Sequence, residues 1–417
     1  MRLTTNKASL MKVLQINKYF YLKGGAETVF FNTIQLLEQH GHTVAPFCLK
    51  DKKNRPSPYE SYFVPYPELS ESGLWDKARY ITSFVYNRTA ARQLDRLLRD
   101  ERPDIAHIHL LFNSLSVSIL PVLKKHRIPV VMTVHDYRLI CPAYLFTDGK
   151  GAVCERCRTG HYYNCLVNQC SKGRFLNSLM LTADSYFRKY VISPTDYIDR
   201  FIFVSRFASD KHIEFSAKYA EKATVLSNFT SLQQTGISAK DNYLLYIGRI
   251  SEEKGIPALM AAMRLCPDVH LKIVGTGPLL ESLKSQSPRN VEFTGFKSGD
   301  DLYGYIRRAR FVVVPSEWYE NNPMSVIESM TLGTPVIGSR IGGIPELIEE
   351  GVSGYLFEPR QVEQLRETIV KALSMPGEAY ASMCREAQSF ATDNFGREAY
   401  YQKLMSLYNN VIHNHNA

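Results

Sequence analysis

The chain is 417 residues long, with 45% apolar and 22% charged residues and a formal net charge of +9. At roughly 150 residues per domain this length predicts two or three domains, and the composition excludes extended disorder, collagen-like and coiled-coil architecture. No run approaches the roughly 18 consecutive apolar residues of a membrane-spanning helix. The polar stretch from Met1 to Leu10 lacks the apolar core of a secretion signal, which predicts a cytoplasmic chain.

The charge is unevenly spread. Residues 1–229 hold 32 Lys and Arg against 20 Asp and Glu, a net of +12, whereas residues 230–417 hold 18 against 21, a net of −3. Basic residues cluster at Lys124, Lys125, Arg127 and Arg138, and again at Lys150, Arg156, Arg158, Lys172 and Arg174. The asymmetry suits an anionic partner, such as the inner face of a membrane touched peripherally or a phosphorylated lipid. A basic surface kept for solubility is the competing reading. No nucleic-acid-binding motif accompanies the charge, so nucleic acid is not expected as a partner.

In chain order, residues 11–16 form a short apolar run that predicts a strand, and the residues before it read as an extension. The pair Gly24 and Gly25 follows, and then Ala26, Phe30, Ile34 and Leu37 recur at helical spacing as far as Gly41. Residues 43–49, 105–109, 130–134 and 201–204 are further strand candidates. Such alternation of strand and helix predicts a parallel sheet covered on both faces. Between residues 225 and 240 the pattern loosens into polar residues, which predicts a linker. The grammar restarts with strands over 243–247, 269–274, 291–294, 311–314 and 335–338. An aromatic tail with helical spacing follows (Tyr400, Tyr401, Leu404, Leu407, Tyr408, Val411, Ile412) and is expected to pack back on the fold. The resulting division is a domain over 11–229 with a Cys-rich insertion at 141–174, a second over 230–390, and the tail 391–417.

The densest chemistry lies in Pro315-Ser316-Glu317-Trp318-Tyr319-Glu320-Asn321-Asn322-Pro323-Met324-Ser325-Val326-Ile327-Glu328. A strand ends, a polar loop follows, and a helix starts, with Asn322 as the expected N-cap, Pro323 as first helical residue and Gly333 as the stop. A helix start at the carboxyl edge of a parallel sheet suits a phosphate. Glu320 and Glu328 lie eight positions apart, and carboxylates accept hydrogen bonds from vicinal hydroxyls, so one can grip a sugar and the other a ribose. An ordinary helix-surface Glu328 is the bland alternative.

Glu320-x7-Glu328, followed by Ser329-Met330-Thr331-Leu332-Gly333-Thr334-Pro335, resembles the signature of family 4 retaining glycosyltransferases. Further segments match in order: Gly24-Gly25-Ala26-Glu27, Thr133-Val134-His135-Asp136, Gly248-Arg249-Ile250-Ser251-Glu252-Glu253-Lys254-Gly255, Gly275-Thr276-Gly277-Pro278 and Gly342-Gly343-Ile344-Pro345-Glu346. The resemblance spans about residues 11–390. It implies an α/β chain of GT-B fold, two Rossmann-like doubly wound domains facing across a cleft. It also implies a transferase of hexosyl type, moving a sugar from a nucleotide-diphosphate sugar to a lipid-linked or polysaccharide acceptor in cell-surface glycan synthesis.

By the same resemblance, Arg249 and Lys254 neutralise the donor diphosphate, and Glu328 holds the ribose. Glu320 contacts the donor sugar beside Asn322, Pro323 and Met324. Gly24, Gly25, Gly248 and Gly275 allow close backbone approach. His135 is placed by the reacting carbon, through its carbonyl or neutral ring; a structural histidine paired with Asp136 is the alternative. No second carboxylate offers a nucleophile, so the expected course is front-face transfer in which the leaving phosphate takes the acceptor proton. No cofactor is expected for catalysis. A surface ion pair of Lys254 with Glu252 or Glu253 is the competing reading of the cations.

Gly275-Thr276-Gly277-Pro278-Leu279-Leu280 half matches a dinucleotide fingerprint. Leu280 replaces the third glycine and Glu292 sits inside the next strand, which argues against a dehydrogenase. A nucleotide-sugar epimerase of the same architecture and a non-catalytic sugar-nucleotide-binding protein are the rival functions. The first lacks a convincing acid/base pair.

Five of the eight cysteines fall between 141 and 170. Cys154, Cys157, Cys165 and Cys170 lie within 17 residues, starting with a C-x2-C pair, and suit a tetrahedral structural zinc; Cys141 can replace one ligand, and four reduced cysteines without metal are the alternative.

Overall fold

The computed structural model describes residues 10–65, 82–234 and 236–416. Most of the extension before Met11, residues 1–9, lies outside them, as do Thr235 of the expected linker and Ala417 of the tail.

The strands are β1 (Lys12–Ile16), β2 (Thr43–Phe47), β3 (Leu49–Lys50), β4 (Val64–Pro65), β5 (Ile105–Ile108), β6 (Val130–Val134), β7 (Arg200–Phe203) and β8 (Ala223–Val225). They continue with β9 (Tyr243–Ile247), β10 (His270–Val274), β11 (Val291–Gly295), β12 (Phe311–Val314), β13 (Val336–Ser339) and β14 (Gly354–Phe357). Among the described residues two six-stranded sheets form, in the orders β2-β1-β5-β6-β7-β8 and β11-β10-β9-β12-β13-β14, and β3 pairs with β4. Every pairing between these named strands is parallel. Parallel sheets covered on both faces need strands that are apolar throughout, and β6 and β12 are buried at every position.

The two doubly wound sheets are those expected. Four strands differ from expectation. The run 43–49 divides into β2 and β3, and β4 was not anticipated. β8 begins a little ahead of the expected linker and takes in Val225, and β14 was not anticipated. Both are short and lie at a sheet edge, where little apolar periodicity is required.

Strand order locates the crevices. In the second sheet the winding reverses between β9 and β12, and in the first between β1 and β5. Loops leaving the carboxyl ends of such strands diverge, and ligands of open α/β sheets bind there. The segments after β1, β5, β6, β9 and β12 are those that hold Gly24, His109, His135, Lys254 and Glu320.

The chain crosses between the halves twice, side by side. Thr230 bridges Gly396, and the Thr230 amide donates to the Phe395 carbonyl at 3.2 Å. The helix Gly377–Phe395 packs in the second half through Met383, Cys384, Ala387 and Ala391. The helix Arg397–Asn416 returns to the first, where Tyr401, Leu404 and Tyr408 join Met11, Val13 and Val131 in one apolar cluster.

Candidate active site

The helix Met324–Thr331 forms one wall of the crevice. It begins one residue later than expected: Pro323 is its extended N-cap and no side chain caps it. Asn322 is occupied elsewhere. Its Oδ1 accepts from the Asn228 amide at 3.1 Å and its carbonyl from Asn228 Nδ2 at 3.0 Å, which ties the loop to the interdomain crossing. Gly333 ends the helix with φ of 71°, a backbone shape that favours glycine.

Glu320 is the hub of the loop after β12. It is 6% exposed, and its Oε1 accepts from Lys254 Nζ at 2.6 Å, Ser316 Oγ at 2.7 Å and Trp318 Nε1 at 2.9 Å. Three donors converge on one oxygen, so among the described residues Oε2 has no protein partner. The loop is held by the pair Gly342 and Gly343. A Cβ on Gly342 would lie 2.3 Å from the Glu320 carbonyl oxygen, and the Gly343 amide donates to that same oxygen at 2.7 Å.

Lys254 closes the 3-10 turn Glu252–Lys254 after β9. Gly255 follows with φ of 69°, where a Cβ would collide with the Pro315 carbonyl at 1.7 Å, so the two loops pack backbone to backbone. Lys254 therefore pairs with Glu320 across the loops rather than with Glu252 or Glu253, and its ammonium sits 5.0 Å from the Trp318 ring centre. Arg249 lies on the same loop with an exposed side chain, and its carbonyl accepts from the Tyr246 hydroxyl at 2.8 Å. Gly248 and Gly275 serve each other's packing, because a Cβ on Gly275 would lie 1.9 Å from the Gly248 carbonyl oxygen.

Glu328 sits on the second turn of Met324–Thr331. Burial pushes its carboxyl up to about 7, and among the described residues it has no hydrogen-bond or ion-pair partner. The residue as a whole is half-buried.

The facing wall comes from the first half. The helix Gly25–Gln39 starts at Gly25, and a Cβ there would lie 3.8 Å from Met324 Cγ, so the two helix starts face each other. His135 follows β6, and its carbonyl accepts from Asn321 Nδ2 at 2.8 Å across the gap. Its ring does not pair with Asp136, whose Oδ1 accepts from the Arg138 amide at 3.0 Å. Instead His135 Nε2 lies 3.0 Å from His109 Nδ1. Burial pushes the His135 ring down to about 4, so it is neutral near pH 7. Gln15, His107 and His109 extend this contact and were not singled out from the sequence. Their only signal there is His-x-His at the end of β5.

The structure thus brings Lys254, Glu320, His135, Gly25 and Met324 around one gap, with Arg249 exposed on the loop of Lys254. It does not form the expected metal site. Among the described residues no three His, Cys, Asp or Glu side chains are arranged to hold a metal ion. Cys154, Cys157, Cys165 and Cys170 are free thiols, and Cys141, Cys157, Cys165 and Cys170 belong to the apolar core of the first half. Burial pushes the Cys141 thiol up to about 12 and raises Cys157, whereas a hydrogen bond from Cys165 lowers Cys170. The insertion also reaches the second half: Glu155 Oε1 accepts from the Tyr319 hydroxyl at 2.8 Å, and the Gly151 carbonyl from Arg360 Nη2 at 2.9 Å.

Residues 23–234 match the family model described as Glycosyltransferase Family 4, and residues 227–390 the one described as Glycosyl transferases group 1. A Klebsiella pneumoniae relative, named as an uncharacterized 42.6 kDa protein in the cps region, is 25% identical over 355 residues, covering 81% of this chain and 87% of that one. Among solved structures, sucrose-phosphate synthase from Thermosynechococcus elongatus superposes with a TM-score of 0.69 at 18% identity, covering 96% of this chain and 99% of that one. Anabaena HepE in complex with UDP and glucose superposes with a TM-score of 0.63 at 18% identity, covering 95% and 99%.

Proposed function

We infer that this chain, which belongs to glycosyltransferase family 4, moves a sugar with retention from a nucleotide-diphosphate sugar to a lipid-linked or polysaccharide acceptor. It is a glycosyltransferase of GT-B fold; donor, acceptor and stereochemistry are the proposal. The observation that carries it is the contact of Lys254 with Glu320, one residue from the Asn321 bond to the His135 carbonyl. A cation, a carboxylate with one free oxygen and a neutral histidine are thereby held on two sides of one gap.

In this reading the donor diphosphate lies between Arg249, Lys254, the uncapped start of Met324–Thr331 and the Gly24–Gly25 backbone. Glu328 accepts from the ribose hydroxyls, and Glu320 Oε2 from a hydroxyl of the donor sugar. The bond from the anomeric carbon to the diphosphate breaks, and negative charge grows on the leaving oxygen. Arg249 and Lys254 supply the positive charge that stabilises it in the transition state. The acceptor oxygen bonds to the anomeric carbon on the face just vacated, and its proton passes to the departing phosphate. His135, neutral, places its carbonyl and ring beside the developing positive carbon. The uridine nucleotide bound by HepE makes UDP-sugars the first donors to try.

The relative from a cps region and the basic first half support a surface-glycan acceptor presented at an anionic membrane. Among the described residues no helix is long and apolar enough to cross a membrane, so the contact proposed is peripheral. The deciding experiment incubates the protein with a panel of nucleotide sugars and membrane extract, then reads the anomeric configuration of the product by NMR. Transfer with retention supports the reading. An inverted product, or epimerised donor without transfer, overturns it.

A further inference from the structure

We propose that His109, backed by Gln15, is a positioning residue that holds the ring of His135 in its Nε2–H tautomer and so presents Nδ1 as that ring's acceptor. The inference rests on the reading that His135 faces the reacting centre, but its geometry stands apart from that reading.

β1 lies beside β5 with Gln15 opposite His107, and the His109 amide donates to the Ile16 carbonyl at 2.8 Å. His107 and His109, two positions apart along an extended segment, face the same side. Gln15 and His107 are fully buried and His109 is 1% exposed, so no water competes for their hydrogen bonds. Burial and the neighbouring rings hold His109 well below the usual histidine range, and burial holds His107 down at about 3. Each ring therefore carries one proton.

The placement of that proton follows from the partners. Gln15 Oε1 can only accept, and it lies 2.9 Å from His109 Nε2, so His109 is protonated at Nε2. His109 Nδ1 is then a bare lone pair, and the group 3.0 Å away is His135 Nε2, which must donate. A neutral ring with its proton on Nε2 has none on Nδ1. The other end agrees. The Tyr408 hydroxyl donates to His107 Nδ1 at 2.6 Å, and His107 Nε2 donates to Thr133 Oγ1 at 2.7 Å. The Gln15 amide nitrogen is turned to His107 at 3.5 Å and to Tyr408. No donor meets a donor anywhere along the chain. Stacking at 4.3 Å between His107 and His109, and at 5.2 Å between His109 and His135, restrains the rings against turning. The relay runs from the C-terminal helix, through Tyr408, to the floor of the crevice.

Turning the Gln15 amide over reverses each bond and leaves His135 protonated on Nδ1, so the tautomer is the decisive observable. Long-range proton–nitrogen NMR on protein labelled with 15N-histidine, with His135 assigned from His135→Gln, should show Nε2–H in the wild type. His109→Leu should lose that fixed tautomer and lower kcat about tenfold with the donor KM changed less than about twofold. His109→Asn, whose Oδ1 can take the place of Nδ1, should restore both the tautomer and most of kcat. A wild-type His135 protonated on Nδ1, or a His109→Leu protein with unchanged tautomer and kcat, overturns the proposal. Should His109→Leu fail to fold, the wild-type tautomer still decides. If His135→Ala transferred sugar normally, the functional reading of His135 would fail while the tautomer result stood unaffected.

Discussion

Lys254 Nζ lies 2.6 Å from Glu320 Oε1, and that one ion pair joins the loops leaving β9 and β12 on either side of the point where the second sheet reverses its winding. Glu320 is nearly buried, so removing Lys254 leaves an uncompensated carboxylate as well as an unneutralised donor phosphate. Lys254→Ala should lower kcat/KM at least about tenfold, about 1.4 kcal/mol of transition-state stabilisation. Because the two side chains touch, Lys254→Ala with Glu320→Gln should cost less than the sum of the single changes. Steady-state kinetics on the four proteins of the cycle checks this, and strict additivity would separate the pair.

Glu328 gives a pH signature. Its carboxyl is raised to about 7 by burial, above the unfolded range near 4.3. Below pH about 4 both states are protonated and there is no penalty. From pH about 4 to about 7 the unfolded carboxyl ionises while the folded one keeps its proton, so this group destabilises the folded state increasingly across that window and by a constant amount above it. Glu328→Gln should therefore raise the melting temperature more at pH 8 than at pH 5. The same change should weaken donor binding most above pH 7, where the wild-type carboxylate accepts two hydroxyls. Thermal melts and donor titrations at the two pH values test both statements.

His135 should leave no such step. Burial holds its ring down to about 4, so it stays neutral from pH 5 to 8. A step in donor KM near pH 7 should vanish in Glu328→Gln and persist in His135→Asn, although the latter loses kcat. Loss of the step in His135→Asn instead would reassign the titrating group.

The glycines divide by geometry. Gly25 is not in a left-handed conformation, and a Cβ there meets Met324 at ordinary contact distance, 3.8 Å. Gly25→Ala should retain activity, whereas Gly25→Leu should fill the gap and raise the donor KM. Gly342 has φ of 61° and a Cβ would lie 2.3 Å from the Glu320 carbonyl oxygen. Gly342→Ala should therefore displace the Glu320 loop and reduce both stability and transfer, as read by melting temperature and kcat/KM.

The basic half makes a separate prediction. Binding to vesicles should need anionic lipid and weaken as salt rises, because exposed charges are screened within about 8 Å at physiological ionic strength. Sedimentation with neutral and anionic vesicles at two salt concentrations measures it, and binding indifferent to both would remove the membrane contact.

Much of this architecture is local information. Parallel strands covered on both faces must be apolar along their whole length, so β6 and β12 stand out as runs without any knowledge of the fold. The spacing of Glu320 and Glu328 in the loop and helix after β12 was legible in the residues themselves, whereas Lys254 entered only through the resemblance to a known family. What the tertiary structure alone decided are meetings between distant segments. Gln15 and His107 are 92 positions apart and touch only because β1 lies beside β5. Lys254 found Glu320 rather than its neighbours Glu252 and Glu253 because Gly255 lets two loops close backbone to backbone. Of the cysteines whose spacing suggested a metal, Cys157, Cys165 and Cys170 join the apolar core of the first half while Cys154 stays at its edge, a division that spacing along the chain does not reveal. Offsets along a chain fix which side chains share a loop, but strand order and packing choose the partner each one meets.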